Sequence, residues 1–233
     1  MAEVAIVVTG EPVERVLVRR GGWSAMIRDA IGEVAVRFAD LDARRVLPSL
    51  VDYRAVIVTG SAASVPSRAS WIVETERRLA DAVGAEVPIF GICFGHQLLG
   101  QALGGRVAVN PLGREIGTVS VERISADPLL DWADGSFLTN MTHVDSIVEL
   151  PRGARVLGRS DQDSNAFVRF AERVWGVQFH PEIDAAVMLD YLEARREVLE
   201  AEGRDWSALR RAVAETPIAR GLLRRFLNLA LAT

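Results

Sequence analysis

The chain has 233 residues, with 27 basic against 31 acidic side chains, one cysteine and three histidines. Every basic residue is arginine, which excludes a Schiff-base lysine, an internal pyridoxal aldimine and a Walker-type phosphate loop. One cysteine cannot build an intramolecular disulfide or a multi-cysteine zinc site, and a net charge of −4 with arginines scattered in pairs offers no basic face for nucleic acid.

Val4–Val8 reads as a short apolar strand ending at Thr9-Gly10. Trp23–Ile31 places Trp23, Met26, Ile27 and Ala30 at helical spacing. Val34–Phe38 is expected as a second strand, and Arg54–Val58 as a third, again ending in Thr-Gly. Ser70–Val83 has the pattern of an amphipathic helix, Val87–Ile92 that of a buried strand, and His96–Leu103 that of the helix following it. Unbroken apolar strands alternating with helices predict a mostly parallel sheet covered on both faces. Six short strands follow with brief connections: Arg106–Val109, Gly117–Val121, Phe137–Asn140, Arg155–Gly158, Ala166–Phe170 and Val174–Phe179. There is little room for crossover helices, so they predict an antiparallel or mixed extension of the sheet. Helices are expected at Ala185–Ala201, Trp206–Ala214 and Ile218–Ala230. The stripe Leu222, Leu223, Phe226, Leu227 and Ala230 reads as packed onto the domain, with a self-association face as the alternative. The expectation is a single α/β domain over 1–233, with an open mixed sheet and C-terminal helices from about residue 184 packed against it. No stretch is long and apolar enough to span a bilayer, and the N-terminal apolar run is too short for a secretory signal. With one unpaired cysteine, this predicts a cytoplasmic protein with no membrane partner.

The chemistry concentrates in Val87 to Gly105. A buried strand runs into Gly91-Ile92-Cys93-Phe94-Gly95 and then a helix, the Gly-x-nucleophile-x-Gly spacing of a nucleophile elbow. The turn is tight enough that side chains two positions either side of Cys93 would collide. The helix amino terminus would favour a thiolate and a developing oxyanion. Otherwise Cys93 is a small buried apolar residue. A thiol nucleophile needs a base, and the base an orienting group. His96, one turn past Cys93, suggests packing or capping, and His143 falls after a strand, in a loop. His180 closes the strand VWGVQF and is followed by Pro181 and Glu182, a carboxylate placed to hold the imidazole tautomer. The other reading there is a surface histidine beside a helix-capping glutamate.

Together, GICFGHQ and the distal VQFHPE resemble the class I glutamine amidotransferases, the Cys-His-Glu triad glutaminases. The resemblance implies a flavodoxin-like domain with Cys93 as nucleophile, His180 as acid and base, and Glu182 as its orienter. It further implies backbone amides of Gly60 and Phe94 as oxyanion-hole donors and Gln97 as a contact to the substrate amino acid. Met141-Thr142-His143-Val144-Asp145 sits where relatives bind the glutamine head group, pointing to Thr142, His143 and Val144. Val144 stands where relatives have glycine, so backbone contacts there need a negative φ; the alternative is an ordinary loop. The implied reaction is hydrolysis of a γ-glutamyl amide through a cysteinyl thioester, with no metal and no cofactor. The stretch after Glu182 is expected to hold no synthase site, which leaves a free-standing hydrolase or a glutaminase subunit. The favoured expectation is a free-standing hydrolase of glutamine or a γ-glutamyl compound. The segment from Gly10-Glu11-Pro12 through Gly21-Gly22-Trp23 looks like that of free-standing members resembling a GMP-synthetase glutaminase domain. The alternatives are a glutaminase subunit that feeds ammonia to a separate synthase chain, and a catalytically silent binding protein on the same fold.

Overall fold

The computed structural model describes residues 3–131 and 134–232. In chain order, β1 (Glu3–Val8) is followed by α1 (Glu14–Arg20), α2 (Trp23–Ile31), β2 (Arg37–Asp42) and β3 (Ala55–Val58). Next come α3 (Ser70–Gly84), β4 (Ile89–Ile92) and α4 (Phe94–Ala102). The second half begins with β5 (Arg106–Val109), β6 (Glu115–Arg123), β7 (Ser136–His143) and β8 (Asp145–Glu149). It continues with β9 (Arg155–Arg159), β10 (Phe167–Ala171) and β11 (Val174–Val177). Four helices close the chain: α5 (Ala185–Ala194), α6 (Arg196–Ala201), α7 (Trp206–Arg211) and α8 (Pro217–Leu231).

Among the described residues the main sheet has nine strands in the order β2-β1-β3-β4-β11-β10-β9-β6-β7. Its first five strands are parallel and the rest antiparallel, the mixed sheet the sequence predicts. The parallel part has the flavodoxin-like doubly wound order, in which ligands gather outside the carboxyl ends of the strands. Period-2 alternation splits β1 between two cores. Val4 and Ile6 pack with Ile57, Phe90, Ile27 and Phe226 on one face. Ala5 and Val7 pack with Val56, Ile72, Leu79 and Leu98 on the other. All four side chains of β3 are fully buried, which explains a strand without polar alternation. The stripe Leu222, Leu223, Phe226, Leu227 and Ala230 is buried in the first of these cores, with α8 packed on α2, β3 and β7, so it is not a free self-association face. Among the described residues, no helix is long and apolar enough to cross a membrane.

Four expectations need correction, and one helix is unforeseen. The second strand is Arg37–Asp42 rather than Val34–Phe38, because this edge strand takes its position from parallel pairing, Glu3 opposite Arg37 through Val8 opposite Asp42. α1 has no signature in the sequence: its one buried residue is Val16, too little for an apolar period. The helix after the elbow starts at Phe94, not His96, because Cys93 itself is the N-cap. The stretch around His143 is not a loop. β7 runs through His143, Val144 is the only residue before β8, and β8 pairs antiparallel with β5 in a separate ribbon. The helix expected over Ala185–Ala201 is broken at Arg195, whose ψ of 10° at φ −110° separates α5 from α6.

Candidate active site

Four parallel strands deliver their carboxyl ends to one place. β1 and β3 both finish in Thr-Gly, and the two turns interlock. Thr59 Oγ1 accepts from the Thr9 amide at 3.0 Å, and Thr9 Oγ1 donates to the Gly60 carbonyl at 2.9 Å. Ser61 Oγ donates to the Thr9 carbonyl at 3.0 Å. The Gly60 peptide is thereby fixed against β1. A Cβ on Gly60 would lie 2.8 Å from Cε1 of His180, so only glycine lets this turn approach the imidazole.

β4 delivers Cys93. Its amide donates to the Val177 carbonyl of β11 at 2.7 Å, and its φ of 50° with ψ −102° is strained for a residue with a side chain. The flanking glycines are sterically required. A Cβ at Gly91 would stand 2.6 Å from the Gly95 carbonyl oxygen, and one at Gly95 would stand 2.5 Å from the Val58 carbonyl oxygen. The amide of Phe94 opens α4, where N–H groups lack intrahelical acceptors.

Beyond β11 the chain bends, and the His180 amide donates to the Asn140 carbonyl of β7 at 2.8 Å. The ring Nδ1 lies 2.7 Å from Glu182 Oε1, with both side chains almost wholly buried. Among the described residues Nε2 has no hydrogen-bond partner, and the Cys93 sulfur bears on the ring electrostatically. Burial by itself would lower the His180 pKa. The Glu182 carboxylate and then Cys93 outweigh it together and raise it to about 10. Trp23 stacks on the ring at 5.2 Å between centroids, shielding it from solvent.

Gln97 and Gln178 form a relay. Gln97 Nε2 donates to the Asp145 carbonyl at 2.7 Å and to Gln178 Oε1 at 3.1 Å, and Gln178 Nε2 donates to Cys93 Sγ at 3.4 Å. This ties the start of β8 to the sulfur. Thr142, His143 and Val144 line the same cavity as Cys93 and Gln97. The His143 ring is turned inward. Nδ1 donates to the Asp145 carbonyl at 3.0 Å, and Nε2 meets Glu115 Oε2 at 3.0 Å, which also accepts from Ser160 Oγ at 3.0 Å. Its side chain therefore braces the β7–β8 turn. Val144 is not among the non-glycine residues with positive φ, which are Arg68, Glu86 and Cys93 among the described residues.

His96 is separate from this site. It is fully buried beside Phe170, and burial holds its pKa down to about 3, so the ring is neutral.

The cleft has two lobes that share Cys93, Ser61, Ala62, Thr142 and Arg195. The larger, about 350 Å³, adds Gln97, Ser64, Arg114, Val144 and Asp145. The smaller, about 110 Å³, adds His180, Trp23, Tyr191, Glu11 and Pro12. Trp23, Tyr191 and Arg195 carry no site signal in the sequence, because helix periodicity marks them only as face residues. Gln178 stands in the distal motif, but its bond to the sulfur is visible only in three dimensions.

A family model, "Glutamine amidotransferase class-I", matches residues 24–194. The chain belongs to the class-I glutamine amidotransferase family. It is 36% identical over 132 residues to the GMP synthase [glutamine-hydrolyzing] of Clostridium novyi, covering 56% of this chain and 25% of that one. It is 35% identical over 128 residues to that of Aeropyrum pernix, covering 55% and 24%. The chain thus spans about a quarter of the length of these curated relatives. A glutamine amidotransferase from Thermotoga maritima superposes with a TM-score of 0.78 at 23% identity, covering 100% of this chain and 99% of that one. The glutamine amidotransferase from Methylobacillus flagellatus gives 0.71 at 20% identity, covering 97% and 94%. At these identities the two structures speak for the fold alone.

Proposed function

We propose that this amidotransferase-family chain hydrolyses γ-glutamyl amide bonds through a cysteinyl thioester. The observation that supports this most directly is a strained cysteine at a helix amino terminus, in one cavity with a buried imidazole held by a carboxylate. The Cys93 sulfur attacks the δ-carbonyl, and amides of Gly60 and Phe94 receive the oxyanion. As the C–N bond breaks, protonated His180 gives its Nε2 proton to the departing nitrogen and the acyl group stays on sulfur. Water then attacks the thioester, His180 takes its proton, and the C–S bond breaks to release glutamate and restore the Cys93 thiolate beside protonated His180. Glu182 holds the tautomer and stabilises the imidazolium. Gln97 and the backbone of Thr142 to Val144 receive the glutamyl head group. No metal or cofactor enters these steps.

The protein acts free-standing on glutamine or γ-glutamyl compounds. A second reading rests on the curated relatives, named as glutamine-hydrolysing GMP synthases: the chain is a glutaminase subunit supplying ammonia to a separate synthase chain. A soluble, cytoplasmic setting without nucleic-acid or membrane partners suits both.

The test is a glutamine-like electrophile at neutral pH, followed by mass spectrometry. One γ-glutamyl adduct on Cys93, absent from Cys93→Ala, is the expected result; a folded protein that stays unlabelled refutes the catalytic reading. Release of glutamate from glutamine and γ-glutamyl dipeptides, with no other chain present, separates the two readings. Labelling of Cys93 without turnover would point to a required partner.

A further inference from the structure

The smaller lobe poses a question that glutamine does not answer. It lies on the side of His180, the group that must protonate the departing nitrogen, whereas Gln97 and the β7–β8 turn line the other lobe. Ammonia needs no such space, but about 110 Å³ holds several water-sized groups. Its walls are the stacked rings of Trp23 and Tyr191, together with Pro12, suited to a short organic stem.

Arg195 stands where the lobes meet, at the break between α5 and α6. Its neighbour Arg114 is paired, with Nε 3.0 Å from a Glu202 carboxylate oxygen. Arg195 has no such partner: its Nε is buried without a hydrogen bond, and among the described residues no carboxylate forms a salt bridge with it. Burial, and then the charge of Arg114, press its pKa below the usual arginine value, against a weaker opposing pull from Tyr191 and from Glu202, the carboxylate that Arg114 already holds. A half-buried guanidinium beside a second cation is costly unless an anion joins it. The acidic residue that lines the smaller lobe, Glu11, is exposed.

On the hydrolase reading above, we infer that the preferred substrate is a γ-glutamyl conjugate of an amino acid, whose leaving-group carboxylate is bound by Arg195. Such a substrate fills both lobes: glutamyl at Gln97, stem against the wall of Trp23, Tyr191 and Pro12, carboxylate on the guanidinium fork. Arg195 is a specificity-determining residue here and takes no part in bond breaking.

Glutamate release from γ-glutamyl-glycine and from γ-glutamyl-ethylamide tests this, since only the former carries the second carboxylate. The expected result is a kcat/KM ratio of about tenfold or more for the glycine conjugate, expressed in KM. Arg195→Met should bring that ratio close to one, and Arg195→Lys should restore part of it. A wild-type ratio near one overturns the inference. So does an Arg195→Met variant that lowers both substrates equally, because Arg195 would then serve the glutamyl α-carboxylate common to both. The same pair of compounds is titrated calorimetrically into Cys93→Ala, a readout independent of turnover. If wild type turns over neither compound, the free-standing reading fails; preferential binding of the glycine conjugate that Arg195→Met in the Cys93→Ala background removes still supports the Arg195 assignment, and equal binding overturns it.

Discussion

At Cys93 three local effects meet on one sulfur: a positive φ that aims it out of the turn, a helix amino terminus below it, and a hydrogen bond from Gln178. The motif makes the first two legible, because strand, paired glycines and helix follow each other in the chain. The partner of His180 is also legible, since Glu182 is only two residues away. Glu182→Gln keeps the shape but loses the charge, so kcat is expected to fall by roughly 10²–10⁴ with folding retained, measured by steady-state kinetics beside circular dichroism. Gly60→Ala forces a methyl to within 2.8 Å of the His180 ring. A displaced imidazole should cost about a hundredfold in kcat with little change in Tm.

The His180 proton also has a stability consequence. Its folded pKa lies above the ordinary 6.5, at about 10, so the folded state binds a proton that the unfolded chain releases earlier. The contribution is complete below about pH 6.5 and is lost as pH rises towards 10. Urea unfolding of wild type and His180→Asn at pH 6, 8 and 10 should show the margin in favour of wild type shrinking. A margin that grows with pH contradicts the assignment.

Among the elements, the β7–β8 turn departs furthest from the sequence reading. Met141 to Asp145 contains no glycine or proline, and its polar residues suggest a loop. The structure uses them as strand, because His143 finds Glu115 on the facing strand β6 and Ser146 lies next to it, contacts that no local pattern encodes. The Glu115 carboxylate is itself buried, so its loss strands a buried imidazole and the Ser160 hydroxyl. Glu115→Ala should destabilise the fold by about 2–3 kcal/mol in urea unfolding. It should also raise KM more than it lowers kcat, since the turn lines the glutamyl lobe. An unchanged KM would remove the bracing role. α4 is nearer to the opposite case: its glycines follow from the elbow, with Gly95 packed on the Val58 carbonyl, and only its first turn, which begins at Phe94, departs from the sequence reading.

Across the molecule, the closing helix α8 is part of the core. Phe226 is fully buried between Phe90 of β4 and Trp175 of β11. Phe226→Ala is expected to cost about 3–5 kcal/mol, read from denaturant midpoints, with the protein's sedimentation unchanged. Weakened self-association without destabilisation would instead favour an exposed role. By itself the sequence determined β1, β3 and β4 of the parallel half, the elbow, and the residues of the His-Glu pair, because each depends on contiguous patterns: apolar runs, glycine spacing and a short separation. Only the tertiary structure decided the edge strand, the β5–β8 ribbon, the broken helix at Arg195 and the two-lobed cleft. These depend on backbone pairing and on side chains distant in the chain, such as Trp23, Cys93 and Arg195, whose proximity comes from packing rather than from local preference.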